Sequence, residues 1–304
     1  MSTRNPAPVP VTVVVPSYNR PDKLAACLKA LDRQDYPDLE IVVVDDGSET
    51  PLKPTCAPYP QVRGLRQDNQ GPAAARNAGV AAARDGFVAF TDDDCRPRPD
   101  WVSRLVAAHA GDPAALVCGR VENALTENVY SAASQTLCDY LYDYFGAAEG
   151  EAPFFTSNNM GCLKTQFLEL GGFDRSFPLA AAEDRDFGLR WRATRGRLVY
   201  APEAVVDHLH DLSLQKFWRQ HANYGRGARH LHRVMDARAE QTPKLERLAF
   251  YFQLLGYPIV QRQPKPLRQS ALMLLSQVAM VYGYVRSARS VPAKHVGHPS
   301  RSNV

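Results

Sequence analysis

The sequence has little that would mark a disulfide-rich, zinc-binding or secreted protein. Its six cysteines are scattered through 304 residues, with no C-x-x-C pair and no clustered histidine ligands. This pattern argues against a zinc finger or a disulfide framework and favours a reducing compartment. The first ten residues, MSTRNPAPVP, lack the apolar run of a signal peptide. Together these absences predict a cytoplasmic protein.

Long apolar runs and glycine-rich phosphate loops are also absent. The segment ALMLLSQVAMVYGYV, at 271–285, contains Ser, Gln and Gly, and it is shorter than the roughly 20 apolar residues that a membrane span requires. It is flanked by basic residues, which favours a helix lying on an anionic surface; an ordinary core or dimer-interface helix is the alternative. Neither a Walker loop nor GxGxxG occurs, which argues against a nicotinamide-dependent dehydrogenase.

The charge is divided unevenly along the chain. Residues 1–210 contain 21 Lys and Arg against 28 Asp and Glu, whereas residues 211–304 contain 15 against 4. A basic segment attracts anionic partners such as nucleic acid, anionic lipid or a phosphorylated substrate. We expect three regions: a flexible N-terminus at 1–10, an α/β domain at 11–210 and a basic helical region at 211–304.

Strand and helix patterns alternate in the first part of the chain. Apolar runs at 11–15, 41–44 and 87–91 predict buried strands, and helical patterns follow Pro21 and cover Gly71 to Arg84. This order predicts an α/β fold with a mostly parallel sheet flanked by helices. Further elements are predicted as a strand at 198–206 and as helices at 129–145, 183–194, 213–235, 244–260 and 267–289.

Three polar segments follow the predicted strands: SYN at 17–19, DDGS at 45–48 and DDD at 92–94. Ligands of parallel sheets bind beyond the carboxyl ends of the strands, so these segments predict a binding site. In extended chain Asp92 and Asp94 share a face and Asp93 points away. Two carboxylates ~4 Å apart repel by about 4 kcal/mol near a protein surface. A divalent cation such as Mg²⁺ or Mn²⁺ would remove that repulsion; a solvated acidic turn is the alternative.

Other polar residues fit the same site. The carboxylate of Asp46 can accept a hydrogen bond from a ribose or a base, although an Asx-turn is the alternative. Tyr18 can present its ring to a base. Asp184 begins a predicted helix and is either a general base or a helix cap. His208 and His210 alternate after a strand, and either could complete a metal site; surface histidines are the alternative.

The set of motifs resembles glycosyltransferase family 2, the inverting nucleotide-sugar transferases of GT-A fold. The resemblance covers about residues 11–210, and the six motifs occur in the family's order. They are VVVPSYNR (13–20), VVVDDGS (42–48), GPAAARNAG (71–79), FTDDD (90–94), GGFD (171–174) and EDRDFGLR (183–190).

The resemblance implies roles for particular residues. Asp184 would be the catalytic base, and Asp92, Asp94 and His208 would hold Mn²⁺ or Mg²⁺. The donor would be bound by Pro16, Tyr18, Asn19, Arg20, Asp46, Arg76, Asn77, Asp92, Asp93 and Glu183. The implied reaction is the metal-dependent, inverting transfer of a single sugar from a nucleotide-sugar, with a family-level preference for UDP, to a hydroxyl acceptor.

The chain departs from processive members of the family, such as cellulose and chitin synthases. They carry Q-x-x-R-W, whereas here 215–219 reads QKFWR, with Trp and Arg reversed. RQHANYGRG, at 219–227, and the basic tail resemble bacterial transferases that build exopolysaccharide or glycolipid on lipid-linked acceptors. This implies peripheral contact with an anionic membrane at its cytoplasmic face, and no nucleic-acid partner. A sugar nucleotidyltransferase and a non-catalytic, membrane-docked nucleotide-binding module remain alternatives.

Overall fold

A computed structural model of the chain contains one mixed sheet with helices on both faces. It describes residues 8–146, 151–152, 154–177, 179–242 and 246–288. Most of the predicted flexible N-terminus and the end of the basic region lie outside these residues. The strands of the described part are β1 (Val11–Ser17), β2 (Leu39–Asp45), β3 (Val62–Arg66), β4 (Phe87–Phe90), β5 (Cys95–Pro97), β6 (Leu116–Asn123), β7 (Met160–Leu163) and β8 (Leu198–His208).

The helices connect these strands and continue beyond the sheet. In the described part they are α1 (Pro21–Leu31), α2 (Lys53–Cys56), α3 (Pro72–Ala82), α4 (Trp101–Gly111), α5 (Val129–Tyr144), α6 (Lys164–Glu169), α7 (Glu183–Thr194), α8 (Leu214–Ala237), α9 (Leu248–Val260) and α10 (Pro266–Ala288). The predicted helices correspond to α1, α3, α5, α7, α8, α9 and α10 and agree with them to within a few residues, since apolar periodicity marks element type better than ends. Helices α2, α4 and α6 were not predicted.

The sheet has the strand order β3-β2-β1-β4-β7-β6-β8-β5. Strands β3, β2, β1 and β4 are mutually parallel, and β6 is parallel to β8. Strand β7 is antiparallel to both β4 and β6, and β5 is antiparallel to β8. The prediction of a mostly parallel sheet is therefore confirmed, and β5 and β7 are the strands that make the sheet mixed. The register of β8 shifts between Ala201 and Val205, around the proline at which the sequence predicts an interruption.

The core lies on both faces of the sheet because the side chains of β1 alternate. Val13 packs in one cluster with Leu28 of α1 and Trp101 of α4. Its neighbour Val14 packs in another with Phe187 of α7. Strands covered on both faces read as continuous apolar runs, which explains why the sequence shows no polar alternation here.

The C-terminal helices α8 and α10 pack closely against each other. A Cβ added to Gly225 of α8 would overlap the Met280 carbonyl oxygen of α10, and one added to Gly283 would overlap the Ala222 carbonyl oxygen. The two helix backbones therefore touch at these glycines. Among the described residues, no helix combines the length and apolar character needed to cross a bilayer.

We expect Gly283→Ala to lower the free energy of unfolding by about 1–3 kcal/mol, because the new methyl group forces α8 and α10 apart. The matched control is Gly256→Ala in α9, where an added Cβ meets no atom within 4 Å. That change should raise the free energy of unfolding by about 0.5–1 kcal/mol, since alanine favours a helix over glycine. Urea unfolding measures both; equal effects would contradict the close helix contact.

Candidate active site

Three polar strand ends meet at one edge of the sheet, as the sequence predicts. Ser17, the last residue of β1, is paired in parallel register with Asp45, the last residue of β2. Strand β4 runs parallel on the other side of β1, and the amide of Thr91 donates to the Val14 carbonyl. The segment 92–94 therefore begins beside the ends of β1 and β2. A cleft of about 2430 Å³ opens at this edge.

The three adjacent carboxylates have different surroundings. Asp92 and Asp94 line the cleft, whereas Asp93 does not. The Asp93 carboxylate accepts hydrogen bonds from Ser17 Oγ at 2.8 Å and from Arg20 at 3.0 Å. Burial, together with the charge of Asp94, raises the pKa of Asp93 to about 6 although Arg20 opposes the shift. Asp93 thus anchors residues 92–94, the acidic loop, to β1.

The carboxylate of Asp94 faces two cationic side chains and an imidazole. Its oxygens lie 3.1 Å from Lys23 Nζ, 3.3 Å from Arg20 and 3.3 Å from His208 Nε2. Burial alone would raise its pKa, but His208, Lys23 and Arg20 hold the pKa well below its usual range. Asp94 is therefore ionised at neutral pH.

Strand pairing brings His208 to the acidic loop. Cys95 of β5 is paired with His208 of β8, and the Leu209 amide donates to the Asp94 carbonyl at 2.9 Å. One ligand atom each from Asp94, Cys95 and His208 lies within 4.8 Å of the others. Burial, with the charges of Asp92 and Asp94, raises the Cys95 thiol pKa well above its usual value. A thiol is also a soft ligand, which Mn²⁺ and Mg²⁺ do not favour.

The two remaining donors, a carboxylate oxygen and an imidazole nitrogen, fit Mn²⁺ and are compatible with Mg²⁺. The ring of His210 stacks on His208 with centroids 4.8 Å apart. Burial and His208 lower the pKa of His210 to about 4, so its ring is neutral. His210 thereby supports the orientation of His208.

A buried guanidinium connects the acidic loop with the start of α7. Arg76 donates to Asp92 at 2.7 Å and lies 3.3 Å from Glu183 Oε1. The side chains of Arg76 and Glu183 are buried, whereas 29% of the Asp92 side chain is exposed. Burial and the charge of Asp184 raise the pKa of Glu183 to about 7. Arg76 Nε and Glu183 Oε2 have no hydrogen-bond partner within the described chain.

Asp184 occupies a constrained position in the first turn of α7. The residue before this helix, Ala182, has a φ of 73°, a left-handed conformation that non-glycine residues seldom adopt. The Asp184 carboxylate accepts from the Arg185 amide at 2.8 Å, and it does not cap the helix, since the cap residue is Ala182. Burial raises the pKa of Asp184 despite the Arg185 amide and Arg76. A raised pKa suits a general base.

The carboxylates after β2 are bonded to nearby backbone. Asp45 accepts from the amides of Ser48 and Leu52 and from Arg66 at 2.6 Å, so it forms the turn. Asp46 accepts from Gln67 and from the amides of the residues at 70–71, at 2.8–2.9 Å. These bonds place Asp46 at the loop that leads into α3, and its contact with a base stays a prediction.

The structure places some of the sequence-predicted residues in the lining of the cleft and others outside it. The lining includes Asn19, Arg20, Arg76, Asp92, Asp94, Glu183, Asp184 and His208. It does not include Pro16, Tyr18, Asp46, Asn77 and Asp93. Tyr18 is 45% exposed, and the Asn77 amide bonds both backbone groups of Phe173 at 2.8–2.9 Å. Asn77 therefore anchors the GGFD loop in this structure.

Sequence reasoning missed part of the site. Lys23, which contacts Asp94 beside Arg20, was not predicted. The only sequence signal for it is its position one helical turn after Arg20. The far wall of the cleft comes from α5 and α8, which contribute Gln135, Tyr142, His221 and Tyr224. The imidazole of His221 is buried, and its Nδ1 lacks a partner among the residues described. The sequence of an amphipathic helix shows which residues are polar, but it does not show whether an inward-facing polar residue lines a cleft or contacts another part of the protein.

Comparison with known proteins gives consistent matches. The sequence model described as Glycosyl transferase family 2 matches residues 12–169. The pre-mycofactocin glycosyltransferase of Mycobacterium tuberculosis is 31% identical over 229 residues, which cover 72% of this chain and 46% of that protein. The succinoglycan biosynthesis protein ExoO of Rhizobium meliloti is 40% identical over 99 residues, covering 32% of this chain and 28% of ExoO. Each match spans less than half the length of the relative.

A solved structure has the same architecture. The mannosyltransferase PcManGT from Pyrobaculum calidifontis, in complex with GDP-Man and Mn²⁺, superposes with a TM-score of 0.65 at 17% identity, covering 92% of this chain and 87% of that chain. This similarity confirms the GT-A-like fold that the sequence predicts.

Proposed function

Because this chain belongs to glycosyltransferase family 2, we propose that it transfers a single sugar from a nucleotide-sugar donor to a hydroxyl acceptor with inversion. The observation that carries the proposal is the meeting of Asp92, Asp94 and Asp184 on one cleft at the carboxyl edge of the sheet. Because the family prefers uridine nucleotides, a UDP-sugar is the expected donor.

The donor diphosphate would lie against the cationic and acidic groups at the ends of β1 and β4. Arg20 and Lys23 reach this region from the start of α1, with 51% and 40% of their side chains exposed. Both guanidinium and ammonium groups can bind phosphate oxygens. Arg76 is buried, so its contribution is to hold Asp92 and Glu183 in place.

Asp94 and His208, with Asp92, are the residues that would hold Mn²⁺ or Mg²⁺. A bound cation would offset the negative charge that develops on the nucleoside diphosphate leaving group. Asp184 would accept the proton of the acceptor hydroxyl, and its raised pKa increases its basicity. Arg76 and the Arg185 amide stabilise the ionised form that this role requires.

The acceptor would enter from the side of α5 and α8. The cleft volume of about 2430 Å³ exceeds the roughly 300–1,000 Å³ of an ordinary small-ligand site, which leaves space for an acceptor beside the donor. We further propose that the acceptor is an intermediate of surface polysaccharide or glycolipid synthesis and is attached to a lipid in an anionic membrane. The similarity to ExoO and the basic charge of residues 211–304 support this part.

Thermal unfolding with nucleoside diphosphates tests the site directly. We expect UDP with Mn²⁺ to raise Tm by several degrees, since a ligand at 100 times its Kd stabilises the native state by about 2.7 kcal/mol. Without Mn²⁺ the shift should be much smaller. The controls are Asp94→Asn and His208→Ala, each compared with its own ligand-free Tm, and both should lose the metal-dependent part of the shift.

Turnover then separates the proposed reaction from its alternatives. Transfer or hydrolysis of a nucleotide-sugar in the presence of Mn²⁺ supports a glycosyltransferase. Release of pyrophosphate from a nucleoside triphosphate would identify a nucleotidyltransferase instead. Absence of a shift with every nucleoside diphosphate would refute the nucleotide site itself.

A further inference from the structure

Two neighbouring helices of the basic region expose rows of large apolar side chains. On α9 the exposed fractions are 77% for Leu248 and 74% for Phe252. On α10 they are 75% for Leu267, 51% for Leu274 and 63% for Val281. Val278 and Val285 extend the α10 row at helical spacing. Monomeric soluble proteins seldom expose apolar residues in such groups unless they bind a partner or a membrane.

These rows are additional to the apolar residues that attach the helices to the protein. Leu254 of α9 and Met273 of α10 are buried in one cluster with Tyr140 of α5, and Ser270 Oγ donates to the Leu255 carbonyl at 2.7 Å. Each helix is therefore fixed by one face and exposes another. The outer rows are not needed to hold α9 and α10 in place.

The segment that carries the rows has charged residues of one sign only. Residues 247–288 contain no Asp or Glu and five basic residues: Arg247, Arg262, Lys265, Arg268 and Arg286. Arg247 precedes α9, and the next three lie in or near the α9–α10 connection, all of them exposed. An apolar row bordered by exposed cations complements a membrane that carries anionic lipid.

We propose that the outer faces of α9 and α10 dock on an anionic lipid bilayer, with the apolar rows inserted among the headgroups. No described helix is long and apolar enough to cross the bilayer, so the contact is interfacial. A second copy of the chain is a poorer occupant. A two-fold contact would bring each face against itself, and the basic residues of both copies would then repel one another.

The docking surface lies next to the cleft, and the role of docking inferred from this position rests on the proposed function. The α9–α10 connection reaches the cleft, since Gln261, Gln263 and Lys265 are among its lining residues. Docking by the adjacent rows would bring that side of the cleft near the headgroups. A lipid-linked acceptor could then reach Asp184 without leaving the membrane.

Vesicle co-sedimentation of the full chain tests the docking. We expect binding to phosphatidylcholine vesicles that contain phosphatidylglycerol, weak binding to pure phosphatidylcholine vesicles, and weaker binding as salt is added. The double variant Phe252→Ser and Val281→Ser should lower the partition coefficient at least about tenfold. Its control is Leu168→Ser, because Leu168 is 49% exposed on α6, away from these helices.

Charge reversal provides a second variant that leaves the apolar rows intact. Arg262→Glu with Arg268→Glu should also lower binding to anionic vesicles at least about tenfold, since basic residues near the surface are attracted to anionic lipid and acidic ones are repelled. Lys29→Glu, an exposed residue of α1, is the control. Circular dichroism and Tm check that each variant is folded.

Two results would overturn the proposal. One is equal binding of the unmodified protein to neutral and anionic vesicles. The other is a dimer in sedimentation equilibrium that the Phe252 and Val281 variant dissociates, without vesicle binding, which would identify a second copy as the occupant. Vesicle binding is measured without donor or metal, and donor hydrolysis is measured without vesicles, so failure of the docking and failure of the proposed function are distinguishable.

Discussion

Replacing Asp184 by Asn is expected to lower kcat by about 100- to 10,000-fold, the range that general-base catalysis contributes. The change keeps the size of the side chain and an oxygen that can accept from the Arg185 amide. It removes the group that would take the proton of the acceptor hydroxyl. Steady-state kinetics with a nucleotide-sugar and Mn²⁺ measures the effect, and the Tm shift produced by UDP should be unchanged.

The pH dependence of the same pair of proteins tests the assigned role. Because burial raises the pKa of Asp184, kcat of the unmodified protein should fall as pH decreases through that raised value, where the carboxyl becomes protonated. The Asn variant should lack this acidic limb. Asp85→Asn is the control, as 94% of the Asp85 side chain is exposed. A loss of less than about tenfold in the Asp184 variant would assign the base elsewhere.

Arg76→Leu is expected to lower the free energy of unfolding by about 3–5 kcal/mol, the cost of removing one partner from a buried ion pair. The substitution leaves Glu183 and the partly buried Asp92 without their shared guanidinium. Urea unfolding should be measured above the Glu183 pKa of about 7, where this carboxylate is charged. The Tm shift with UDP and Mn²⁺ should also decrease, since Asp92 loses its positioning contact.

Two further variants show whether burial is the cause. Adding Glu183→Leu to Arg76→Leu should recover at least about 1 kcal/mol, because the isolated buried charge is removed. Arg84→Leu breaks an ion pair with Asp38 of 2.7 Å in which both side chains are about 40% exposed. Exposed pairs contribute about 0–1 kcal/mol, so this control should change little. Equal losses for Arg76→Leu and Arg84→Leu would contradict the buried-pair interpretation.

The strand ends could be predicted from the sequence because local pattern and edge position are linked. Valine runs that end in polar residues indicate buried parallel strands, and parallel strands present their carboxyl ends at one edge. This logic located Ser17, Asp45 and Asp92 correctly at that edge. It could not locate β3, since VRGLR at 62–66 is mostly exposed or half-buried and has no apolar signal.

The structure also changed the interpretation of two motifs. Asn77 follows Arg76 in the sequence, but its side chain bonds the backbone of Phe173. Asp93 stands between two cleft residues and bonds Ser17 and Arg20, which agrees with the alternation that predicts it to point away from Asp92 and Asp94 but not with the donor-binding role that the resemblance implies. Adjacent residues point in different directions, so membership in a motif does not decide which side chains reach the cleft.

The sequence by itself determined the α/β alternation, the polar strand ends and the basic, acid-free region from 247 to 288, because each depends on residues close together in the chain. Only the tertiary structure decided that Cys95 pairs with His208, and that Arg76 contacts both Asp92 and Glu183, the latter 107 residues away from Arg76 in the chain. It also decided which faces of α9 and α10 are exposed. Such contacts depend on strand order and helix packing, and a local pattern contains no information about distant partners.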